Sequence, residues 1–272
     1  MGIPGDAMKP YYGPHAGITI YHGDCFEVLH ELSGVEAVLT DPPYSSGGAF
    51  RGDRMVSTLT KYANSDSSQQ DTAIGFTGDN RDQRSFLAWC ALWLAAARRA
   101  SVESATLGCF IDWRQLPTLT DAIQAGGWVW RGVGVWSKVY GRPRGGGYSA
   151  ACEFLVWGTN GSLTDTGEYP SGIIECSSPP VAQRDHLTQK PEPVVMWAMG
   201  GVGVGALVLD PFMGSGTTLA IAKRTGRRAI GIEIDERYCE IAARRLEQEV
   251  LPLSEPEPVA EQLRLDAPDP RD

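Results

Sequence analysis

Residues 210–218, which read DPFMGSGTT, follow a short apolar run at residues 206–209 and open a helical pattern at residues 217–225. The apolar run predicts a buried strand. Glycines between a strand and a helix let the backbone turn tightly and approach a ligand closely. Residues 228–232 predict the next strand, and Glu233 stands at its end. A carboxylate there can accept hydrogen bonds from both ribose hydroxyls of a nucleoside-containing cofactor.

Strand and helix patterns alternate along the rest of the chain, and this alternation predicts the fold class. Strands alternating with helices imply an α/β fold with a mostly parallel sheet that helices cover on both faces. The predicted strands are residues 18–21, 35–40, 105–113, 128–138 and 153–157, and the predicted helices are residues 25–32, 86–100, 118–125 and 236–249.

A second motif, Asp41-Pro42-Pro43-Tyr44, ends the predicted strand at residues 35–40. An exocyclic amine on a nucleobase is a poor nucleophile because its lone pair is delocalised into the ring. Hydrogen bonds from its two hydrogens to the Asp41 carboxylate and the Pro42 carbonyl would favour a pyramidal, reactive nitrogen. Two prolines hold that carbonyl rigidly, and Tyr44 offers a flat face on which an extruded base can stack. The tetrapeptide can also be an ordinary Pro-Pro turn.

Both motifs are predicted at the same edge of the sheet. In a doubly wound sheet, ligands bind at the carboxyl ends of the strands, and each motif follows a predicted strand directly. The two motifs together therefore predict one active site, which neither motif predicts by itself.

The composition of the chain bears on its core size, its partners and its metal sites. With 272 residues, 42% of them hydrophobic, the chain can bury one substantial core. A net charge of -9 argues mildly against nucleic acid as a partner, but residues 122–152 contain four basic residues and no acid. Six cysteines without a CxxC pair or metal-ligand spacing fit a reduced cytoplasm and predict no metal site. No apolar run approaches the length of a membrane span.

These residues closely resemble the amino-methylating DNA methyltransferases, in particular the β class, in which the Asp-Pro-Pro-Tyr motif precedes the glycine motif. The resemblance extends over residues 18–246. It includes Gly23-Asp24, Trp136-Ser137-Lys138, and residues 186–191, which read HLTQKP. The chain departs from the family in having Cys152-Glu153 where His-Glu is frequent. It also departs in its short segment for target recognition, at about residues 158–186.

The resemblance implies a Rossmann-like S-adenosylmethionine-dependent methyltransferase fold. Its seven-stranded sheet would have the order 3-2-1-4-5-7-6, with the last strand antiparallel. The implied reaction is site-specific methyl transfer from S-adenosylmethionine to the N6 amino group of adenine in double-stranded DNA, after base flipping. The implied catalytic residues are Asp41, Pro42, Pro43 and Tyr44, and the implied cofactor contacts are Asp24, Lys190, Asp210, Phe212, Gly214, Ser215, Gly216, Thr217 and Glu233.

DNA contacts are expected from two loops, at about residues 45–83 and 138–148. Lys138, Arg142 and Arg144 can neutralise phosphates there, and nearby glycines permit close approach of the backbone. The whole of residues 1–252 is interpreted as a single catalytic domain. Residues 253–272, which carry a net charge of about -4 and are rich in proline and glutamate, are interpreted as a disordered acidic tail.

Three alternatives stay open at this stage. Cytosine-N4 methylation is the nearest, although related cytosine enzymes more often begin the tetrapeptide with Ser. Methylation of RNA or of a protein glutamine is more often associated with Asn at that position and with the glycine motif first in the chain. A catalytically silent DNA- or cofactor-binding protein is disfavoured by the intact Asp41, Pro42 and Tyr44. A homodimer and a cognate restriction endonuclease are compatible with the sequence but not indicated by it.

Overall fold

A computed structural model of the chain describes residues 8–44, 81–142, 146–165, 167–177 and 190–248. Arg144, most of the loop at residues 45–83, and the tail at residues 253–272 lie outside these ranges. Within them, six helices and nine strands are found. The strands are β1 (Tyr12–His15), β2 (Ile18–His22), β3 (Val35–Thr40), β4 (Ser101–Ile111), β5 (Val129–Arg142), β6 (Ala150–Thr159), β7 (Ile173–Glu175), β8 (Leu207–Asp210) and β9 (Arg228–Glu233). The helices are α1 (Cys25–Glu31), α2 (Gln83–Ala100), α3 (Leu116–Ala125), α4 (Glu192–Ala198), α5 (Thr217–Arg224) and α6 (Glu236–Gln248).

All nine strands of the described ranges form one sheet, in the order β1-β2-β9-β8-β3-β4-β6-β5-β7. When the strand before the glycine loop is counted as the first, the seven strands from β2 to β5 have the expected order 3-2-1-4-5-7-6. Strand β6 pairs antiparallel with both of its neighbours, as expected for the seventh strand. The predicted strand order is therefore confirmed.

The expected number of strands needs correction from seven to nine. Strand β1 is added antiparallel to β2, and β7 is added parallel to β5. These outer strands have only four and three residues, and most of their side chains are exposed or half-buried. Unlike the buried apolar run of β8, these exposed edge strands show no strand pattern in the sequence, because backbone pairing with a longer neighbour defines them.

Helices cover both faces of the sheet, and each face has its own apolar core. On one face, α1, α2 and α3 pack through residues such as Val28, Trp93 and Leu119. On the other face, α4, α5 and α6 pack through residues such as Val194 and Leu219. The three-layer architecture predicted from alternating elements is confirmed. None of the helices in the described ranges is long and apolar enough to cross a membrane.

Element boundaries differ from the predicted ones where backbone contacts decide them. Helix α2 begins at Gln83, three residues early, because Asp82 caps it by accepting a hydrogen bond from the Ser85 amide at 2.8 Å. Strand β4 begins at Ser101, directly after α2, and pairs there with Val35. Helix α4, which begins directly after Pro191, was not among the predicted elements.

Candidate active site

The two motifs lie side by side because their strands are neighbours in the sheet. Strands β3 and β8 are paired in parallel, so that the residues after them meet at one edge. The Thr40 hydroxyl donates a hydrogen bond of 2.7 Å to Oδ1 of Asp210, and both side chains are buried. The backbone amide of Phe212 donates to the same Asp210 oxygen at 3.1 Å. Asp210 therefore joins the two motifs, and its role as a cofactor contact stays a prediction.

Asp41 extends the face of the sheet that carries Ala37 and Leu39, since alternate residues of a strand share a face. Its side chain is 25% exposed. The Oδ2 atom accepts a hydrogen bond from the ammonium group of Lys190. The Oδ1 atom is buried and finds no hydrogen-bond partner among the residues that the structure describes. One oxygen of Asp41 is thus held by a cation while the other is available as an acceptor.

Lys190 lies at the centre of the site, and its side chain is only 7% exposed. Besides Asp41, its ammonium nitrogen lies 3.3 Å from Oε2 of Glu153, in an ion pair without the geometry of a hydrogen bond. The ring centroids of Tyr44 and Phe110 lie 5.7 Å and 5.4 Å from the same nitrogen. The predicted cofactor contact of Lys190 remains a prediction, and the structure places this side chain on the predicted catalytic carboxylate.

Glu153 and Lys138 complete this arrangement. The Lys138 ammonium donates to Oε1 of Glu153 at 2.5 Å and lies 5.1 Å from the ring centroid of Trp136. Lys138 was predicted to contact DNA. The structure gives it an internal partner and leaves 27% of its side chain exposed. Sequence reasoning did not select Glu153 as a site residue, although its position was noted as a departure from the family.

Burial and neighbouring charges perturb the acids and bases of the site in different directions. Burial raises the pKa of Asp41, and Lys190 only partly opposes this effect. Burial also disfavours the charged forms of Lys190 and Glu153, but their charged partners outweigh it. The pKa of Lys190 is therefore raised, and the pKa of Glu153 is lowered. Asp41 has the least compensation because it contacts one cation, whereas Glu153 contacts two.

The glycine loop between β8 and α5 lies open at the same edge. Gly214 and Gly216 have φ angles of +50° and +78°, in the left-handed region that favours glycine. A Cβ atom on Gly214 would meet nothing within 4 Å, so this part of the loop faces open space. The Gly214 amide donates to Oε2 of Glu233 at 3.0 Å, and Oε1 accepts from the Asp235 amide at 2.9 Å. Glu233 therefore holds the loop against the end of β9.

The other predicted cofactor residues lie around this loop, and most have structural contacts. The ring of Phe212 packs 5.2 Å from the rings of both Trp89 and Trp93. Thr217 accepts a hydrogen bond of 3.1 Å from Arg245, and Ser215 is buried. Asp24 caps α1 through a 2.9 Å bond from the Phe26 amide. Their cofactor roles stay predictions, and for Asp24 the structure supplies the capping role.

A mostly parallel sheet with this strand order and helices on both faces has the Rossmann-like fold of S-adenosylmethionine-dependent methyltransferases. The glycine loop follows the central strand β8, and an acid ends its neighbour β9, as the nucleoside-binding edge of such a fold requires.

Comparison with known proteins narrows this class further. Residues 164–244 match the family model described as DNA methylase, of the N6/N4 type. The chain is 24% identical to the type II methyltransferase M.ScaI of Streptomyces caespitosus over 89% of this chain and 84% of the relative. These matches confirm the resemblance to the amino DNA methyltransferases. The chain is thus similar to DNA methyltransferases of the N6/N4 type.

Solved structures show the same fold. The M1.HpyAVI–SAM complex is 23% identical and superposes with a TM-score of 0.59, covering 84% of this chain and 99% of that one. The cytosine-N4-specific PvuII DNA methyltransferase is 16% identical and superposes with a TM-score of 0.67, covering 89% and 90% of the two chains. The chain therefore shares the fold of these two structures over most of its length.

Proposed function

We propose that this protein transfers a methyl group from S-adenosylmethionine to an exocyclic amino group of a DNA base, and that the target is N6 of adenine. One observation carries the proposal above all. A buried carboxylate oxygen, Oδ1 of Asp41, has no partner among the described residues, and it stands beside the two prolines Pro42 and Pro43. A buried acceptor without a donor is costly, so its pairing with a substrate amine would be favourable.

The chain activates the amine through two acceptors. Oδ1 of Asp41 accepts one amine hydrogen, and the Pro42 carbonyl accepts the other, which turns the nitrogen lone pair toward the methyl donor. Pro42 and Pro43 hold this carbonyl in place before the substrate arrives. The ring of Tyr44 stacks on the extruded base. After transfer, the nitrogen carries a surplus proton. Asp41 is the nearest base, and its raised pKa favours accepting that proton.

The glycine loop suits S-adenosylmethionine, which when bound supplies an electrophilic methyl group on a sulfonium centre. The open space over Gly214 allows a ligand to approach the backbone. Each oxygen of Glu233 accepts one backbone hydrogen bond and keeps a lone pair for a ribose hydroxyl. Lys190 has three donors, of which Asp41 and Glu153 use at most two, so a contact with the cofactor is compatible with its position.

The choice of adenine over cytosine rests on the acid at the first motif position. Related cytosine-N4 enzymes more often begin this tetrapeptide with Ser, whereas this chain has Asp41. Because a cytosine-N4-specific enzyme has a similar fold, the experiment must also distinguish methylation of cytosine at N4. Incubation with methyl-labelled S-adenosylmethionine and unmodified DNA, followed by nucleoside analysis, separates the outcomes. Label in N6-methyladenine supports the proposal, and label in N4-methylcytosine overturns the choice of base. If no label enters the DNA, the proposed methyl transfer itself is overturned.

The DNA is proposed to contact the hairpin of β5 and β6, which projects beyond the end of β4. Strand β4 ends at Ile111, whereas the pairing of β5 with β6 continues as far as Arg142. The hairpin carries Tyr140 and Tyr148, which are 84% and 97% exposed. Such rings can stack or pack against nucleotides. Arg142 and Arg144 remain the proposed phosphate contacts. Lys138 can contact a phosphate only through the part of its side chain that is exposed.

A further inference from the structure

Four charged side chains form a line at the carboxyl edge of the sheet, and the proposed reaction assigns a role in amine activation to the first alone. In order they are Asp41, Lys190, Glu153 and Lys138, which we call the charge row. Their charges alternate in sign, and each contacts the next: Asp41 to Lys190 by a hydrogen bond, Lys190 to Glu153 at 3.3 Å, and Glu153 to Lys138 at 2.5 Å. The row runs from the predicted catalytic carboxylate to a partly exposed lysine.

The sheet register places Glu153 beneath Lys190. Leu155 lies opposite Phe110, which contacts Lys190, and Glu153 is two residues before Leu155 on the same strand. Because alternate residues share a face, Glu153 points to the same side as Leu155. Trp136 lies opposite Glu153 on β5, and the ring of Trp136 contacts Lys138. The register therefore places Glu153 on the face of the sheet that contacts Lys190, and the contacts of Lys190 and Lys138 extend the row on either side of it.

A buried ammonium with one carboxylate partner could take both oxygens of that partner. Lys190 contacts two carboxylates, at Oδ2 of Asp41 and Oε2 of Glu153, and Oδ1 of Asp41 has no partner among the described residues. Glu153 is itself largely buried, and without Lys138 its one cationic partner would be Lys190, which it shares with Asp41. The free oxygen of Asp41 thus depends on a balance of contacts in which Glu153 and Lys138 take part without touching Asp41.

We propose that Glu153, held by Lys138, is a positioning residue that keeps Lys190 on one oxygen of Asp41 and leaves the other oxygen free for the substrate amine. The inference rests on the proposed function, because it assigns Oδ1 to the amine. It predicts that removal of either outer member of the charge row alters Asp41 through Lys190.

The direction of each effect follows from the sign of the charge removed. Loss of the Glu153 charge should lower the pKa of Asp41, and loss of the Lys138 charge should raise it. Asp210 on β8 and Cys109 on β4 also interact electrostatically with Asp41. Both are unchanged in the two variants. A purely structural role would not move the pKa of Asp41 in opposite directions.

The test compares Glu153→Gln with Lys138→Met, and uses Glu240→Gln as the matched control. Glu240 pairs with Arg244 on the exposed surface of α6, so its loss should change nothing. The acid limb of the kcat profile should shift by about half a pH unit, downward for Glu153→Gln and upward for Lys138→Met. Glu153→Gln should also lower kcat by about tenfold, with KM little changed. Lys138→Arg should restore the wild-type profile.

A second readout does not depend on activity. Titration of the Asp41 carboxyl carbon by NMR, assigned with Asp41→Asn, reports the same two shifts in the free protein. Opposite shifts support the inference, whereas absent shifts or shifts in one direction overturn it. If a thermal melt shows that Glu153→Gln does not fold, the direction of the Asp41 pKa shift in Lys138→Met decides whether the inference holds. A wild-type protein that methylates no DNA overturns the proposed function, and the NMR titration still tests the charge row.

Discussion

Asp210 ends β8 and Asp41 directly follows the neighbouring strand β3, yet the surroundings of the two carboxylates differ. Asp210 accepts hydrogen bonds from neutral donors, the Thr40 hydroxyl and the Phe212 amide, and burial raises its pKa to about 6. Asp41 contacts an ammonium and keeps one oxygen unpaired among the described residues. At this scale, environment rather than residue type separates a structural acid from a candidate catalytic one.

Asp41→Ala should abolish methyl transfer and leave cofactor affinity largely intact, because Asp41 acts on the amine and not on the methyl donor. Loss of one positioned acceptor should raise the barrier by roughly 3 kcal/mol or more, which is over about 100-fold in rate. Single-turnover rates and calorimetry with S-adenosylmethionine measure the two effects. Asp121→Ala, on the exposed side of α3, is the control. Near-normal turnover of Asp41→Ala would contradict the assignment.

Glu233→Ala should weaken S-adenosylmethionine binding by roughly 1.5 to 3 kcal/mol, because a charged acceptor of the ribose is lost. The Gly214 and Asp235 amides also lose their acceptor, so the melting temperature should fall slightly. Calorimetry measures the affinity. Glu236→Ala, three residues further on at an exposed position, should keep wild-type affinity. Equal affinities for the two variants would place the ribose elsewhere.

Asp210→Asn should change the pH dependence of folding stability. The folded pKa of about 6 lies above the ordinary value of 3.8, so ionisation destabilises the folded state. The contribution of the Asp210 carboxyl to folding stability is present at low pH and is lost as the pH rises through about 6. Relative to wild type, Asp210→Asn should therefore gain about 2 kcal/mol between pH 4.5 and pH 7.5, as measured by denaturant unfolding.

The control for this prediction has the opposite sign. Asp235 pairs with Arg237, and this contact holds the pKa of the Asp235 carboxyl below its usual range. Asp235→Asn should lose stability relative to wild type as the pH rises toward the ordinary Asp pKa of 3.8, and this loss should be complete and constant above it. If both variants show the same trend, the burial argument for Asp210 is wrong.

At the scale of elements, the packing of α6 limits what the glycine loop can contain. Gly216 ends the loop with a φ of +78°, and a Cβ atom there would lie 2.8 Å from Cβ of Ala242 on α6. Gly231 on β9 is equally close-packed, because an added Cβ would lie 2.4 Å from Sδ of Met213. The glycines of this unit therefore serve the packing of helix on strand as well as the approach of a ligand.

Gly216→Ala should destabilise the protein by about 1 to 3 kcal/mol, from left-handed backbone strain and from overlap with Ala242. Cofactor affinity should fall as well, since the overlap displaces the start of α5. Gly203→Ala is the control, because an added Cβ there meets nothing within 4 Å and its φ is ordinary. Thermal melts of the two variants measure the difference. Equal melting temperatures would show that α6 can move away at little cost.

At the scale of the whole molecule, an acidic protein must bind a polyanion through a local surface. The net charge is -9, but the hairpin of β5 and β6 carries the basic residues of a segment without acids. Long-range repulsion is screened beyond about 8 Å at physiological salt, whereas direct phosphate contacts are not lost in the same way. The location of the basic residues therefore matters more than the total charge.

Replacing Arg142 and Arg144 together by alanine should weaken DNA binding similarly for all sequences. The slope of log K against log salt should fall by about 2 units, since each phosphate contact contributes about 0.9. Fluorescence anisotropy at several salt concentrations measures the slope. Arg99→Ala, at the exposed end of α2 before β4 begins, is the control on the opposite edge of the sheet. An unchanged slope in the double variant would remove the hairpin from the DNA interface.

The sequence by itself determined the three layers and the positions of both motifs, because these features depend on local apolar patterns that a linear chain displays. The strand order was implied by the family resemblance that the two motifs and their order carry. Only the tertiary structure placed Lys190 on Asp41, paired Lys138 with Glu153 and added β1 and β7 at the edges of the sheet. Asp41 and Lys190 are 149 residues apart. Register and packing across the sheet decide which charges meet, and no local pattern in the sequence encodes that choice.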